Sequence, residues 1–175
     1  MFIYSTAKHI PIQYSVTKFC GTAANWTNSA NVYADDGTNA TVSISNNTQA
    51  SAYLHTTNYG FAIPSTATID GIVMEMNAYC LEASGVIQDM TVKLTKSGSL
   101  FGNDMRKYPT TWPTTTSNIY TYGASNDKWG TTFTYSDIND STFGVDIRVT
   151  SSLSPPGTAR TAAIDYVRIT IYYTW

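Results

Sequence analysis

The chain has 175 residues and a net charge of −2, and charged residues make up only 13% of it. A soluble domain usually carries about 25% charged residues, so we expect a neutral, polar surface. The sequence contains no basic cluster, which argues against nucleic acid as a direct ligand. No apolar run approaches the roughly 18 residues of a membrane span, and the first residues lack the pattern of a secretory signal. We therefore expect neither a membrane span nor a signal peptide.

Tyrosine is abundant, with 13 copies. Its ring offers a large contact area with only two side-chain torsions to order on binding. The shortage of long charged side chains also lowers the entropy lost when two surfaces meet. The composition therefore indicates a protein that works by binding to a surface, and we expect it not to be an enzyme.

The length predicts one domain, preceded by a segment that stands apart. Residues 1–18 are interrupted by Pro11, and their apolar residues follow no regular period. This segment is predicted to be an N-terminal arm or, equally, a first edge strand of the domain formed by residues 19–175. Its apolar residues Phe2, Tyr4 and Ile10 are candidate interface residues.

Alternation of apolar and polar residues with period two, the pattern of half-buried β-strands, is the main structural signal. In chain order the predicted strands are 40–44, 52–56, 72–78, 90–95, 119–122, 131–135, 143–149 and 165–171. One helical turn is predicted at 136–139, with Ser136 or Asp137 as its cap. Asp165 falls on the apolar phase of the last strand, so we expect it to be buried and bonded to backbone or hydroxyl donors. Gly130 and Gly144 each adjoin an aromatic residue, and we expect a ring to lie over the backbone there.

Short strands separated by Gly-, Asn- and Pro-rich turns predict an all-β fold, an antiparallel β-sandwich. Antibody-like sandwiches place a Trp midway between two Cys, but here Trp26 follows Cys20 closely and lies far from Cys80. The sandwich is therefore predicted to be a jelly roll rather than immunoglobulin-like. The two cysteines are far enough apart in sequence to pair, although an isolated pair is more often two buried thiols.

The order of several motifs resembles that of small structural proteins of tailed bacteriophages. The segments that carry the resemblance are ANW (24–26), NVYADDG (31–37), YGFAIPSTATIDGI (59–72), DKWG (127–130), FGV (143–145) and AIDYVRITIYY (163–173). Proteins with this pattern are similar to head decoration (cement) and fibre proteins, whose β-sandwich attaches to a capsid or tail. The resemblance implies a virion component, made in the host cytoplasm, whose partner is the major capsid protein or another virion protein.

Residues that could carry catalysis are few. The chain has two histidines, His9 and His55, and neither belongs to a nucleophile motif. His55 is expected to be an exposed or hydrogen-bonded strand residue. A hydrolytic site would need a pair of carboxylates. In a chain with twelve acidic residues, candidates for such a pair are expected by chance; here they are Asp35, Asp36, Glu75, Glu82 and Asp89. No Cys or His spacing suits zinc, so no cofactor is expected.

Two further groups of residues have alternative interpretations. The loop 35–39 packs oxygen-bearing side chains as calcium sites do, but a plain turn is favoured over a metal site. The aromatic residues Trp112, Tyr120, Tyr122 and Trp129 could stack on sugars, plug the ends of the sandwich or fill a subunit interface. The interface is favoured, because interfaces are rich in Tyr and Trp.

These observations predict a decoration protein that binds and stabilises a phage head lattice. A homotrimer would suit the three-fold points of such a lattice. The alternative is a carbohydrate-binding or adhesin module on a head or tail fibre, which would bind a glycan.

Overall fold

The computed structural model describes residues 12–45, 50–83, 86–107, 109–151 and 159–175. This part of the chain contains ten β-strands, one 3-10 turn (Ser29–Val32) and one short α-helix, α1 (Tyr135–Asn139). The strands are β1 (Gln13–Phe19), β2 (Thr22–Ala24), β3 (Ala40–Ile44), β4 (Leu54–Thr57), β5 (Thr68–Cys80), β6 (Ile87–Lys96), β7 (Ser99–Phe101), β8 (Asn118–Ala124), β9 (Gly144–Ser151) and β10 (Arg160–Thr174). No helix in these ranges is long and apolar enough to cross a membrane.

The strands form two antiparallel sheets, which confirms the predicted all-β sandwich. The first sheet has the order β1-β10-β5-β8, with β3 beside β10 as well, and the second has the order β2-β4-β9-β6-β7. Strands β3 to β10 pair as a folded ribbon, β3 with β10, β4 with β9, β5 with β8 and β6 with β7. A paired ribbon that wraps across two sheets is typical of a jelly roll. The jelly roll topology stays a prediction.

The core lies between the sheets and is built from the alternating residues that face inward. Long strands rich in β-branched and aromatic residues, above all β5 and β10, supply most of it. Fully buried members include Ile72, Met74, Met76, Val92, Leu94, Val145, Ile147, Val167, Ile169 and Ile171. Each such side chain stabilises the fold by about 1.5–3 kcal/mol relative to an exposed one. Cys20 and Cys80 are both free and buried.

One predicted strand is wrong. Residues 131–134 form no strand, and Tyr135 begins α1. Thr134 is the N-cap of this helix: its hydroxyl lies 3.2 Å from the Asp137 N–H, while its own N–H donates to the Asp137 carboxylate at 2.8 Å. This reciprocal capping box outweighs the strand propensity of the Thr- and Tyr-rich segment. The predicted helical turn is confirmed, with Thr134 as the cap in place of Ser136 or Asp137.

The capping carboxylate makes part of the stability depend on pH. Burial acts to raise the pKa of Asp137, but hydrogen bonds from Thr134 and the Lys96 ammonium, 2.9 Å away, hold it below its usual value. A lowered pKa in the folded state means that the carboxylate stabilises the fold above its unfolded pKa, and that this contribution is lost as pH falls through the folded pKa.

We therefore expect Asp137→Asn to be less stable than the parent by about 1 kcal/mol near neutral pH. The difference should shrink as pH falls below about 4 and through the lowered folded pKa of Asp137. Urea unfolding of both proteins across this range measures it. A gap that stays constant with pH would show that the charge of Asp137 contributes nothing.

Candidate interaction surface

The four aromatic residues predicted to form a subunit interface lie inside the domain. Trp112, Tyr120, Tyr122 and Trp129 are 2%, 6%, 2% and 0% exposed. Side chains buried within one chain have almost no area left for a partner, so that prediction needs correction. All four are members of the hydrophobic core of the domain. The same burial removes them as a sugar-stacking platform.

Hydrogen-bond acceptors inside the fold allow these rings to be buried, because the N–H of a buried Trp and the hydroxyl of a buried Tyr usually find a partner. The indole N–H of Trp112 donates to Asp89 at 2.9 Å, and the Tyr122 hydroxyl donates to the other oxygen of Asp89 at 2.7 Å. The indole N–H of Trp129 donates to the Ile72 carbonyl at 2.9 Å. Sequence patterning gave no sign of these acceptors.

Asp89 joins the two sheets. It lies on β6 in the second sheet and is 1% exposed, while Tyr122 lies on β8 in the first sheet. A third donor, the backbone N–H of Lys107, reaches the carboxylate at 3.1 Å. Burial and the negative charge of Asp89 together raise the pKa of Tyr122, which keeps its hydroxyl a donor. Asp89 is therefore a structural anchor, although its sequence context marked it only as one acid among twelve.

Several exposed apolar residues lie close together at the β1 edge of the first sheet. Six of the seven residues of β1 are exposed, on both faces of the strand. Ile12 is 58% exposed, Tyr14 is 39% exposed, and Trp175, just after β10, is 61% exposed. Tyr14 stacks on Tyr173 at 5.7 Å and meets Trp175 edge-on at 6.4 Å. We call Ile12, Tyr14, Tyr173 and Trp175 the terminal apolar patch.

β1 is also an edge strand in its hydrogen bonding. Within the described ranges it pairs with β10 along one side, from Gln13–Thr174 to Phe19–Arg168, and with no strand along the other. Exposed edges are usually blunted by charge, proline or bulges, yet Lys18 is the only charged residue of β1. Residues 13–19 thus adopt the edge-strand alternative predicted for the N-terminal segment. The candidate interface residues Phe2, Tyr4 and Ile10 lie outside the described residues.

The residues considered for catalysis are dispersed. His55 lies on β4, and its Nδ1 is 2.7 Å from the carboxylate of Asp146, its cross-strand neighbour on β9. His55 is thus the hydrogen-bonded strand residue that was predicted, and its described side-chain hydrogen bond goes to Asp146 rather than to a Ser, Thr or Cys nucleophile. His9 lies outside the described residues.

The candidate carboxylates have separate structural partners. Glu75 pairs with Arg168 at 2.9 Å, and Glu82 accepts from the Thr161 N–H at 2.7 Å. Among the described residues, no group of three His, Cys, Asp or Glu side chains is placed to hold a metal ion.

The loop 35–39 is a turn that closes onto β10. The Asp36 carboxylate accepts from the Thr38 N–H at 2.9 Å and hydroxyl at 2.6 Å. The N–H groups of Asp36 and Gly37 donate to the buried carboxylate of Asp165 at 3.4 and 3.0 Å. The carboxylate of Asp36 therefore holds the turn. Asp165 is 5% exposed, so its predicted burial and backbone donors are confirmed.

A second surface feature is an open cleft of about 340 Å³ between the start of β5 and α1. Tyr135, which is 37% exposed, lines it together with Lys128 and the hydroxyl residues Thr132 and Thr134. A half-exposed ring beside hydroxyls and one cation is a combination that can contact a sugar. It shares no lining residue with the terminal apolar patch but adjoins it, since Tyr173 pairs with Ile69 of the cleft lining.

Comparison with known proteins adds little. No family model matches the chain, and no curated protein matches it. A solved structure of infectious bursal disease virus, Gx strain, aligns with 93% of this chain at 11% identity and a TM-score of 0.31. The chain spans about a third of that protein's length, the alignment covering 36% of it. A likeness this low establishes no shared fold, and we draw nothing about function from it.

Proposed function

We propose that this chain is a structural protein of a tailed-phage virion, a decoration protein that binds the head lattice by adhesion and performs no catalysis. The observation that carries the proposal is the terminal apolar patch beside the open edge of β1. The resemblance of the sequence motifs to phage decoration and fibre proteins supports it. The proposed partner is the major capsid protein.

The chemistry of the patch suits a protein partner. Exposed contiguous apolar surface marks interaction sites in soluble proteins, and Tyr and Trp dominate binding energy at interfaces. An edge strand with a single charged residue, here Lys18, can also accept a strand from a partner. Tyr14 and Trp175 supply the rings and β1 supplies the open edge, so apolar and backbone contacts would form side by side.

Binding of this kind would stabilise a capsid through mass action, because a ligand that prefers the assembled lattice shifts the equilibrium toward it. Repetition over a symmetric shell multiplies a modest contact. A homotrimer would place three patches around a three-fold point of the lattice. Light scattering on the purified protein measures the oligomeric state, and a strict monomer that never co-sediments with heads would contradict the proposal.

The double variant Tyr14→Ser/Trp175→Ser should weaken binding to heads by at least about 100-fold, since each interface ring contributes roughly 2 kcal/mol or more. Co-sedimentation with heads of the phage that carries the gene, stripped of this protein, measures it. A matched control replaces two exposed apolar residues outside the patch, Leu100→Ser/Ile119→Ser, which are 39% and 52% exposed. The control should bind like the parent. Equal loss in both variants, or no loss in either, would refute a role for the patch.

The second candidate is a glycan-binding module on a fibre, and the cleft beside Tyr135 favours it. The two candidates use different residues of adjoining surfaces, so one pair of assays separates them. A glycan array signal together with undiminished binding of the patch variant to heads would favour the module. A silent array together with loss of head binding would favour the decoration protein.

A further inference from the structure

A polar cleft of about 190 Å³ opens on the first sheet, where β5 and β10 meet the loop before β3. Asn39, Asn77, Tyr79, Ser117 and Asp165 contribute to its lining. All five side chains offer oxygen atoms, and no Lys or Arg belongs to the lining. Neither the terminal apolar patch nor the Tyr135 cleft includes any of these residues.

A β-bulge places the carboxylate at this site. The pairing of β10 with β5 is regular up to Ile164, opposite Ala78, and resumes at Val167, opposite Met76. Asp165 and Tyr166 therefore both face the single residue Asn77. Bulges re-aim side chains and are common beside functional sites, and here the bulge turns a carboxylate on a core strand toward the cleft.

The carboxylate of Asp165 keeps one oxygen available. Both of its described hydrogen bonds, from the N–H groups of Asp36 and Gly37, go to Oδ1. No described residue donates to Oδ2, although Asp165 is 5% exposed. Oδ2 is not among the buried atoms without a partner, so it lies open to the cleft and can accept a hydrogen bond or bind a cation.

Two amide oxygens of the lining lack a hydrogen-bond donor. Asn39 Oδ1 and Asn77 Oδ1 are buried and accept no hydrogen bond from the described residues. The amide nitrogen of Asn39 donates to the Tyr79 hydroxyl at 3.2 Å, which orients the amide and leaves its oxygen as the free atom. Buried acceptors without partners are rare in folded proteins, and a bound ion is one of their recognised causes.

The charge around the cleft favours a cation. Burial raises the pKa of Asp165, its backbone hydrogen bonds lower it, and repulsion from Asp35 and Asp36 raises it further. A positive ion would offset both the burial and the repulsion. Neutral hydroxyl donors would supply hydrogen bonds but no charge.

We propose that this cleft is a calcium site, in which Asp165, Asn39 and Asn77 bind Ca²⁺ through their side-chain oxygens. Calcium accepts carboxylate, amide and water oxygens in a flexible shell of six to eight ligands, whereas Mg²⁺ demands a stricter octahedron. The site has a single carboxylate, so its dissociation constant should lie between about 10⁻⁴ and 10⁻³ M, as in extracellular calcium modules. The proposal is independent of the proposed function.

Thermal unfolding tests it directly. About 10 mM CaCl₂, roughly ten to a hundred times the expected dissociation constant, should raise the Tm of the parent protein. MgCl₂ at the same concentration should raise it far less. Asn77→Asp adds a second carboxylate of nearly the same shape, so it should lower the Tm without calcium and bind calcium about tenfold more tightly. Isothermal titration calorimetry with CaCl₂ measures the two affinities.

The matched control is Asn126→Asp, which makes the same charge change at an exposed turn after β8. It should leave the calcium affinity of the parent unchanged. The proposal is overturned if calcium does not raise the Tm of the parent, if magnesium acts equally, or if Asn77→Asp binds calcium no more tightly than Asn126→Asp.

Discussion

Asp89→Ala should be among the most damaging single substitutions in this chain, with an expected loss of about 3–5 kcal/mol in the free energy of unfolding. The carboxylate is buried and accepts three hydrogen bonds, from Trp112, Tyr122 and the backbone of Lys107. Alanine would leave all three donors buried without an acceptor, and each would retain its desolvation cost.

The loss would also remove the hydrogen bond that joins β6 of the second sheet to Tyr122 of the first. The Trp112 and Tyr122 rings would keep their apolar contacts but lose the bonds that orient them toward β6. In a domain of this size the expected loss corresponds to a fall in Tm of roughly 6–20 °C. Thermal unfolding followed by circular dichroism measures it.

Asp35→Ala provides the control for this experiment. Asp35 is an exposed residue of the turn before β3, and exposed substitutions usually change stability by less than about 0.5 kcal/mol. A Tm for Asp89→Ala within a degree or two of the control would show that the three hydrogen bonds contribute nothing net.

Gly144→Ala should prevent folding or lower the free energy of unfolding by at least about 4 kcal/mol. Losses of this size are typical of severe packing and backbone conflicts. A Cβ at this position would overlap the carbonyl oxygen of Thr56 on the neighbouring strand β4 and would lie 2.8 Å from the carbonyl carbon. Relief requires β4 to move away from β9, because the obstacle is backbone and cannot rotate aside.

The control for this substitution is Gly98→Ala in the turn between β6 and β7. Gly98 has a φ of +73°, but a Cβ there would meet nothing within 4 Å. Gly98→Ala should lower the free energy of unfolding by only about 1–2 kcal/mol, because alanine disfavours the left-handed backbone conformation. Soluble yield and Tm compare the two variants. Equal stability of Gly144→Ala and Gly98→Ala would show that β4 can retreat from β9 at little cost.

Gly144 also shows how far sequence patterning reaches. Its position beside Phe143 predicted a ring lying over the backbone, which stays a prediction; what requires glycine here is the backbone of β4, which fills the place of a Cβ. At Gly130 the place of a Cβ is filled by the side chain of Asn103. A glycine marks a close approach, but its neighbour along the chain does not identify what approaches.

The strands that were predicted well are those with strict alternation. Segments 72–78, 90–95 and 165–171 all lie within longer strands, β5, β6 and β10, because one buried face imposes period two on the sequence. β2 and β7, of three residues each, were missed, since so short a strand shows no period. Segment 131–135 failed because a local capping box outweighed its strand propensity.

The sequence by itself determined the fold class, the burial of Asp165 and the neutral, aromatic character of the protein, since alternation and composition act locally or in sum. Only the tertiary structure decided which aromatic rings are exposed, because Trp112 and Tyr122 are buried through a carboxylate more than twenty residues away in sequence. The same holds for the terminal apolar patch and the calcium cleft. The patch forms where β1 pairs with the end of β10, and the cleft forms where the loop before β3 meets the bulge of β10. The residues involved are far apart in sequence, so their spacing does not predict these contacts.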